Sequence, residues 1–155
     1  MEYKMNDRSP RVLKALVVCN AQHNLFPEQE ELLSSQFGED SWELLPIPAE
    51  GWDLLYMKDR VRYLAEWAHG VRTTENTPMF ENSTPPIAVG ETFTLVFASP
   101  VPGLMALWAR EMATMDGAAN MSAFHNDCRV SKEVPDGKGG VRLIKTVAPT
   151  GWVLV

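Results

Sequence analysis

Apolar residues stand in short unbroken runs early in the chain and in alternation near its end, and the two patterns predict different structure. In residues 12–19 the run Ala15, Leu16, Val17, Val18, Cys19 has no polar interruption. That predicts a central strand covered on both faces. Pro27 then opens a helix, because proline is tolerated at the first helical position. Glu28, Glu30 and Glu31 fall in its first turns, where the helix dipole favours negative charge. Leu32, Leu33 and Phe37 share one face, and Gly38 supplies a C-terminal cap.

Residues 42–48 predict a short second strand, with Pro46 marking an edge or an early end. The clearest helix spans residues 53–69, where Leu54, Met57, Val61, Leu64, Ala68 and Val71 recur at helical spacing. Gly70 follows its last turn, and Trp52 and Trp67 are expected to cover the core. Residues 72–90, rich in Thr, Asn and Pro, carry no periodicity and predict a long surface connection. Residues 92–99 predict a third strand. Residues 103–115 predict a helix with Leu104, Leu107, Trp108 and Met112 inward and Gly117 closing it. Residues 120–126 read as a fourth strand. "CRVSKEV" and "VRLIKTV", joined by "PDGKGG", read as a hairpin, and "GWVLV" as a last strand. Strand–helix units followed by antiparallel elements predict an α/β fold. Its sheet is mostly parallel and flanked by helices, with a C-terminal antiparallel hairpin. Residues 1–10 are expected to be a flexible tail and 11–155 one domain. No repeat at solenoid spacing is present.

Composition narrows the function more than the fold. A length of 155 residues with 45% hydrophobic and 22% charged residues suits one globular core. The net charge of −6 argues against a surface for a DNA duplex. The charge is uneven: residues 127–155 hold Arg129, Lys132, Lys138, Arg142 and Lys145 against Asp127, Glu133 and Asp136. A small anionic ligand near that segment therefore stays open. The polar opening residues argue against a signal peptide, and the apolar runs are too short for a bilayer. A cytoplasmic protein without membrane partners is expected.

Candidate chemistry gathers where two strands run into helices. The first junction carries Asn20, Gln22, His23 and Asn24; the second carries Ser99, Pro100 and Gly103. In parallel sheets ligands bind beyond the carboxyl ends of strands, and helix N-termini there favour anions. Neutral amides and hydroxyls suit phosphate and nucleobase edges better than a metal. Phosphate-loop and dinucleotide glycine patterns are missing. His23, His69, His125, Cys19 and Cys128 lack metal-ligand spacing. "FASPVPG" is no nucleophile elbow. No metal and no cofactor is expected. The His23 imidazole could transfer a proton or could simply hold its turn. His69 suits the end of a helix, and Ser99 could equally be a helix cap. Arg129, Lys132, Arg142 and Lys145 alternate with apolar residues, as on a solvated strand face.

"AQHNLFPEQEELLSSQFGED" with "ELLPIP", "GETFTLVFAS" and "CRVSKEVPDGKGGVRLIKTV" resembles the small CRISPR-associated Rossmann-fold (CARF) proteins. Those open on a strand, an Asn-His-x-Leu-Thr-type turn and a helix, and close on a hairpin. The resemblance implies a Rossmann-like homodimer that binds cyclic oligoadenylate, most often the tetra-adenylate, in type III CRISPR antiviral defence. It also implies ring nuclease activity by metal-independent transesterification, leaving 2′,3′-cyclic phosphates. His23, Ser99 and Lys132 would then be catalytic, and Asn20, Gln22, Asn24, Pro100, Gly103 and Arg129 would bind the ligand. Gln22 stands where asparagine is usual, Phe26 where a capping threonine is usual, and residues 99–103 depart from the family's second loop. A non-catalytic sponge or sensor is the alternative. A protein-interaction module using residues 72–90 is a third.

Overall fold

The computed structural model describes residues 13–69, 92–115, 117 and 119–155. The expectations for residues 1–10, Val12, Gly70, Val71 and residues 72–90 lie outside the described residues, as do the side chains of Trp67 and His69. The order is β1 (Ala15–Asn20), α1 (Pro27–Phe37), β2 (Trp42–Ile47), α2 (Leu54–His69), β3 (Phe93–Phe97), α3 (Pro102–Met112), β4 (Ala119–His125), β5 (Arg129–Pro135), β6 (Val141–Val147) and β7 (Val153–Leu154). Five strands form one sheet in the order β2-β1-β3-β4-β7. β1 pairs in parallel with both β2 and β3, and β3 with β4. β7 closes the edge antiparallel to β4. β5 and β6 form a separate two-stranded hairpin.

The unbroken apolar run of β1 follows from its position. Successive strand side chains face opposite ways. Leu16 and Val18 pack with Leu45, Ile47, Leu95 and Phe97, under Val61, Leu64 and Ala68 of α2 and Leu104 and Trp108 of α3. Ala15 and Val17 join Val96 and Leu33 of α1. Both faces are therefore covered, with α1 on one side and α2 and α3 on the other. Right-handed crossovers produce this division, since the chain leaves β1 toward β2 and then passes over β1 to reach β3.

β2 lies at the sheet edge, which is why Pro46, in register with Cys19, is tolerated. The Gly38 N–H donates to the Ser34 carbonyl (3.0 Å), and its φ of 103° is strained for a residue with a Cβ. Leu54 departs from expectation. Only Met57 of the first turn of α2 packs against the core cluster, and Leu54 is 53% exposed. Among the described residues no helix is long and apolar enough to cross a membrane.

One side chain ties several of the C-terminal segments together. Buried Asn126 donates to the carbonyls of Ala148 (3.1 Å) and Thr150 (2.9 Å), while its Oδ1 accepts the Cys128 N–H (2.8 Å). Gly151, at φ 89°, passes so close that a Cβ would meet Cys128 Sγ at 3.0 Å and Asn126 Oδ1 at 3.2 Å. The hairpin's own turn is held by Asp136, whose Oδ1 accepts N–H groups of Lys138 (2.7 Å) and Gly140 (3.0 Å).

Candidate functional site

Strand order reverses between β1 and β3, and their following chains leave toward opposite faces of the sheet. A crevice at the carboxyl ends of those two strands is the expected ligand position. A cleft of about 420 Å³ lies there, lined by Cys19, Gln22, His23, Asn24, Leu25, Phe26, Gln29, Ala98, Ser99, Val147 and Trp152. Its volume falls within the range of small-molecule sites, about 300–1,000 Å³.

The loop after β1 is shaped by Asn20. Its Oδ1 accepts the Gln22 N–H (3.1 Å) and its carbonyl accepts the His23 N–H (2.9 Å). This tight turn leaves the side chains of Gln22, His23 and Asn24 exposed at the cleft. Ser99 joins the two loops. Its Oγ accepts the Asn20 N–H (2.9 Å) and its own N–H donates to the Val18 carbonyl (3.1 Å). The hydroxyl is therefore a clasp between strand ends rather than a helix cap. Ser99→Ala leaves the Asn20 N–H without its partner. It is expected to cost about 1–3 kcal/mol in urea unfolding, and a change below the error of that measurement would dissolve the clasp.

Cys19 lies at the cleft floor, its Sγ 3.6 Å from the Asn20 carbonyl oxygen and 3.7 Å from that of His23. Burial pushes its thiol pKa up, and the Ser99 side chain partly opposes this. At neutral pH it stays a protonated thiol and a poor nucleophile.

The opposite wall comes from α1 and the chain's last residues. Phe26 cannot cap a helix with its side chain. The neighbouring requirement is met by buried Gln29, whose Oε1 accepts the Phe26 N–H (2.9 Å). Glu28 Oε1 accepts the Trp152 N–H (2.7 Å). The Trp152 ring stacks on Phe26, centroids 5.8 Å apart and planes at 30°, and meets Phe124 edge-on at 6.1 Å. Trp152 Nε1 is buried and has no hydrogen-bond partner among the described residues.

Of the residues singled out from sequence, the structure brings Gln22, His23, Asn24 and Ser99 to the cleft. Asn20 supports it from behind. Pro100 and Gly103 do not line it; Gly103 instead lets α3 approach α2, where a Cβ would come within 2.9 Å of Met57 Cε. Arg129 is not in the lining either, and its guanidinium donates to the carbonyls of Asn126 (2.7 Å) and Cys128 (2.9 Å). Lys132 sits opposite Ile144 on the hairpin, outside the lining. Phe26, Gln29, Val147 and Trp152 were missed. A glutamine three residues after a helix start was a readable signal for Gln29; Trp152 and Val147 arrive through tertiary contacts that leave no local pattern.

Among the described residues no lysine or arginine lines the cleft, and no three His, Cys, Asp or Glu side chains are grouped to hold a metal ion. The first turn of α1 already carries the acidic Glu28, and Gln29 accepts the Phe26 N–H at its start. The cleft therefore offers neutral amides, one imidazole and aromatic surface, a set that fits a nucleobase with its sugar better than an isolated phosphate. Compared with known proteins, the chain matches no family model, no curated protein and no solved structure.

Proposed function

We propose that this protein is a CARF-like, Rossmann-like domain that binds cyclic oligoadenylate, the tetra-adenylate above all, in the cleft beyond β1 and β3. The observation that carries the reading is the meeting of Gln22, His23, Asn24 and Ser99 where the strand order reverses. The amides of Gln22 and Asn24 can hydrogen-bond adenine edges, and the Phe26–Trp152 pair offers a ring face for stacking. Cleavage would proceed by in-line attack of a ribose 2′-hydroxyl on the adjacent phosphorus, breaking the bond to the 5′ oxygen and leaving a 2′,3′-cyclic phosphate. His23 is the cleft's candidate for the proton transfers, and positioning supplies much of the remaining rate.

The test is incubation of the protein with labelled cyclic tetra-adenylate, with and without EDTA. Binding and EDTA-insensitive linearisation are expected. His23→Ala should slow turnover by about 100-fold or more while leaving binding in place. Failure to bind at micromolar protein sinks the proposal. A second reading, sequestration without cleavage, is favoured by one observation: Lys132 lies outside the cleft lining and the Arg129 guanidinium is engaged by carbonyls. Binding with an intact ring would select it.

A further inference from the structure

We propose that β6 is the strand through which two copies of this chain pair, antiparallel, about a two-fold axis passing at Ile144. The inference does not depend on the ligand. A two-stranded ribbon by itself is marginally stable, and a third strand or a packed face is what normally completes it. Here the ribbon stands apart from the main sheet, with Val141 64% and Leu143 70% exposed. Among the described residues no strand is hydrogen-bonded to its outer edges.

The ladder decides which groups face outward. At its two ends the Asp136 N–H donates to the Gly140 carbonyl and the Ala148 N–H to the Cys128 carbonyl. Hydrogen-bonded pairs alternate along an antiparallel ladder. The backbone groups of Val141, Leu143, Lys145 and Val147 therefore point away from β5. The equivalent outward row of β5 includes Pro135, which has no N–H to offer.

The sequence of β6 is complementary to itself. Pairing about Ile144 sets Val141 against Val147, Arg142 against Thr146, Leu143 against Lys145 and Ile144 against its own copy. All seven residues are then paired, outward rows meet outward rows, and no two like charges stand opposite. The same operation on β5 about Lys132 sets lysine against lysine, which is unfavourable. A two-fold axis requires such self-complementarity of the surface it passes through. The occupant is thus a second copy, and the product is a four-stranded sheet β5-β6-β6-β5.

The axis makes a register-specific test available. Ile144 meets itself in a non-hydrogen-bonded pair, where Cα atoms lie about 4.5 Å apart, within the span of about 4.4–6.8 Å that a disulfide bridges. In a Cys128→Ser background, Ile144→Cys is expected to oxidise to a covalent dimer. Leu143→Cys and Lys145→Cys should each link poorly alone but link to one another when mixed. The wild-type protein should sediment as a dimer whose population rises with concentration. Leu143→Lys, which sets like charges opposite at two symmetric places, should weaken that dimer at least about tenfold with an unchanged circular dichroism spectrum. A monomer throughout the micromolar range overturns the proposal. So does self-linking of Leu143→Cys as readily as Ile144→Cys, or a dimer indifferent to Leu143→Lys.

Discussion

Trp108→Ala is expected to lower the unfolding free energy by about 3–5 kcal/mol, the largest loss from any single side chain in the fold. The indole is fully buried and meets Phe93 edge-on, with centroids 6.1 Å apart and planes at 84°. Its Nε1–H donates to the Asn120 carbonyl oxygen (3.0 Å), which ties α3 to the start of β4. Truncation removes apolar surface, opens a cavity between α3 and the sheet, and deprives that carbonyl of its donor. For a chain of this size the midpoint of thermal unfolding should fall by on the order of 10 °C. Trp108→Phe keeps most of the volume and should lose about half as much. If thermal and urea unfolding place the alanine variant within 1 kcal/mol of wild type, on the order of an ordinary surface substitution, the packing described for α3 is wrong.

Asn126→Ala is expected to cost about 3 kcal/mol, since two carbonyls and one N–H lose their partner together. Its signature is regional. Amide hydrogen exchange should quicken in β5, β6 and around Trp152, while β1 and β3 keep their protection. Asn126→Asp separates the roles of the two ends of the amide. A carboxylate still accepts the Cys128 N–H but cannot donate to the Ala148 and Thr150 carbonyls. It should therefore be about as damaging as alanine. Exchange that quickens evenly over the whole sheet would show that Asn126 anchors nothing in particular.

The elements legible in the sequence are those whose signals are local. The run 15–19 announced a strand with two covered faces because burial on both sides removes any need for polar alternation. Pro27 and Gly38 bracketed α1, and the hairpin was announced by a glycine-rich turn between two β-rich segments. The first turn of α2 was misread at Leu54 because periodicity records a face but not where the sheet beneath it ends. One wall of the cleft was legible for the same local reason: Gln22, His23, Asn24 and Ser99 follow strands directly. The opposite wall was not. Trp152 reaches Phe26 and Glu28 through folding alone, and Gly103, read as a ligand contact at the start of a helix, instead serves the approach of α3 to α2. Their alternation with apolar residues read Arg129 and Lys132 as a solvated strand face, and only the family resemblance gave Arg129 a ligand and Lys132 a catalytic role; the hairpin carries Lys132 outside the cleft lining and the backbone carbonyls beside Asn126 claim Arg129.

The bond from Trp152 to Glu28 joins residues 124 positions apart. A chain that has made β1, β3 and both their loops consequently holds only an open trough until Trp152 docks against Phe26 and Glu28. Ring closure over such a span is entropically slow. Nicking by a protease between β4 and Trp152 would open the cleft wall without breaking the ladder of parallel strands, so the cleft would be the first part of the fold to report the cut.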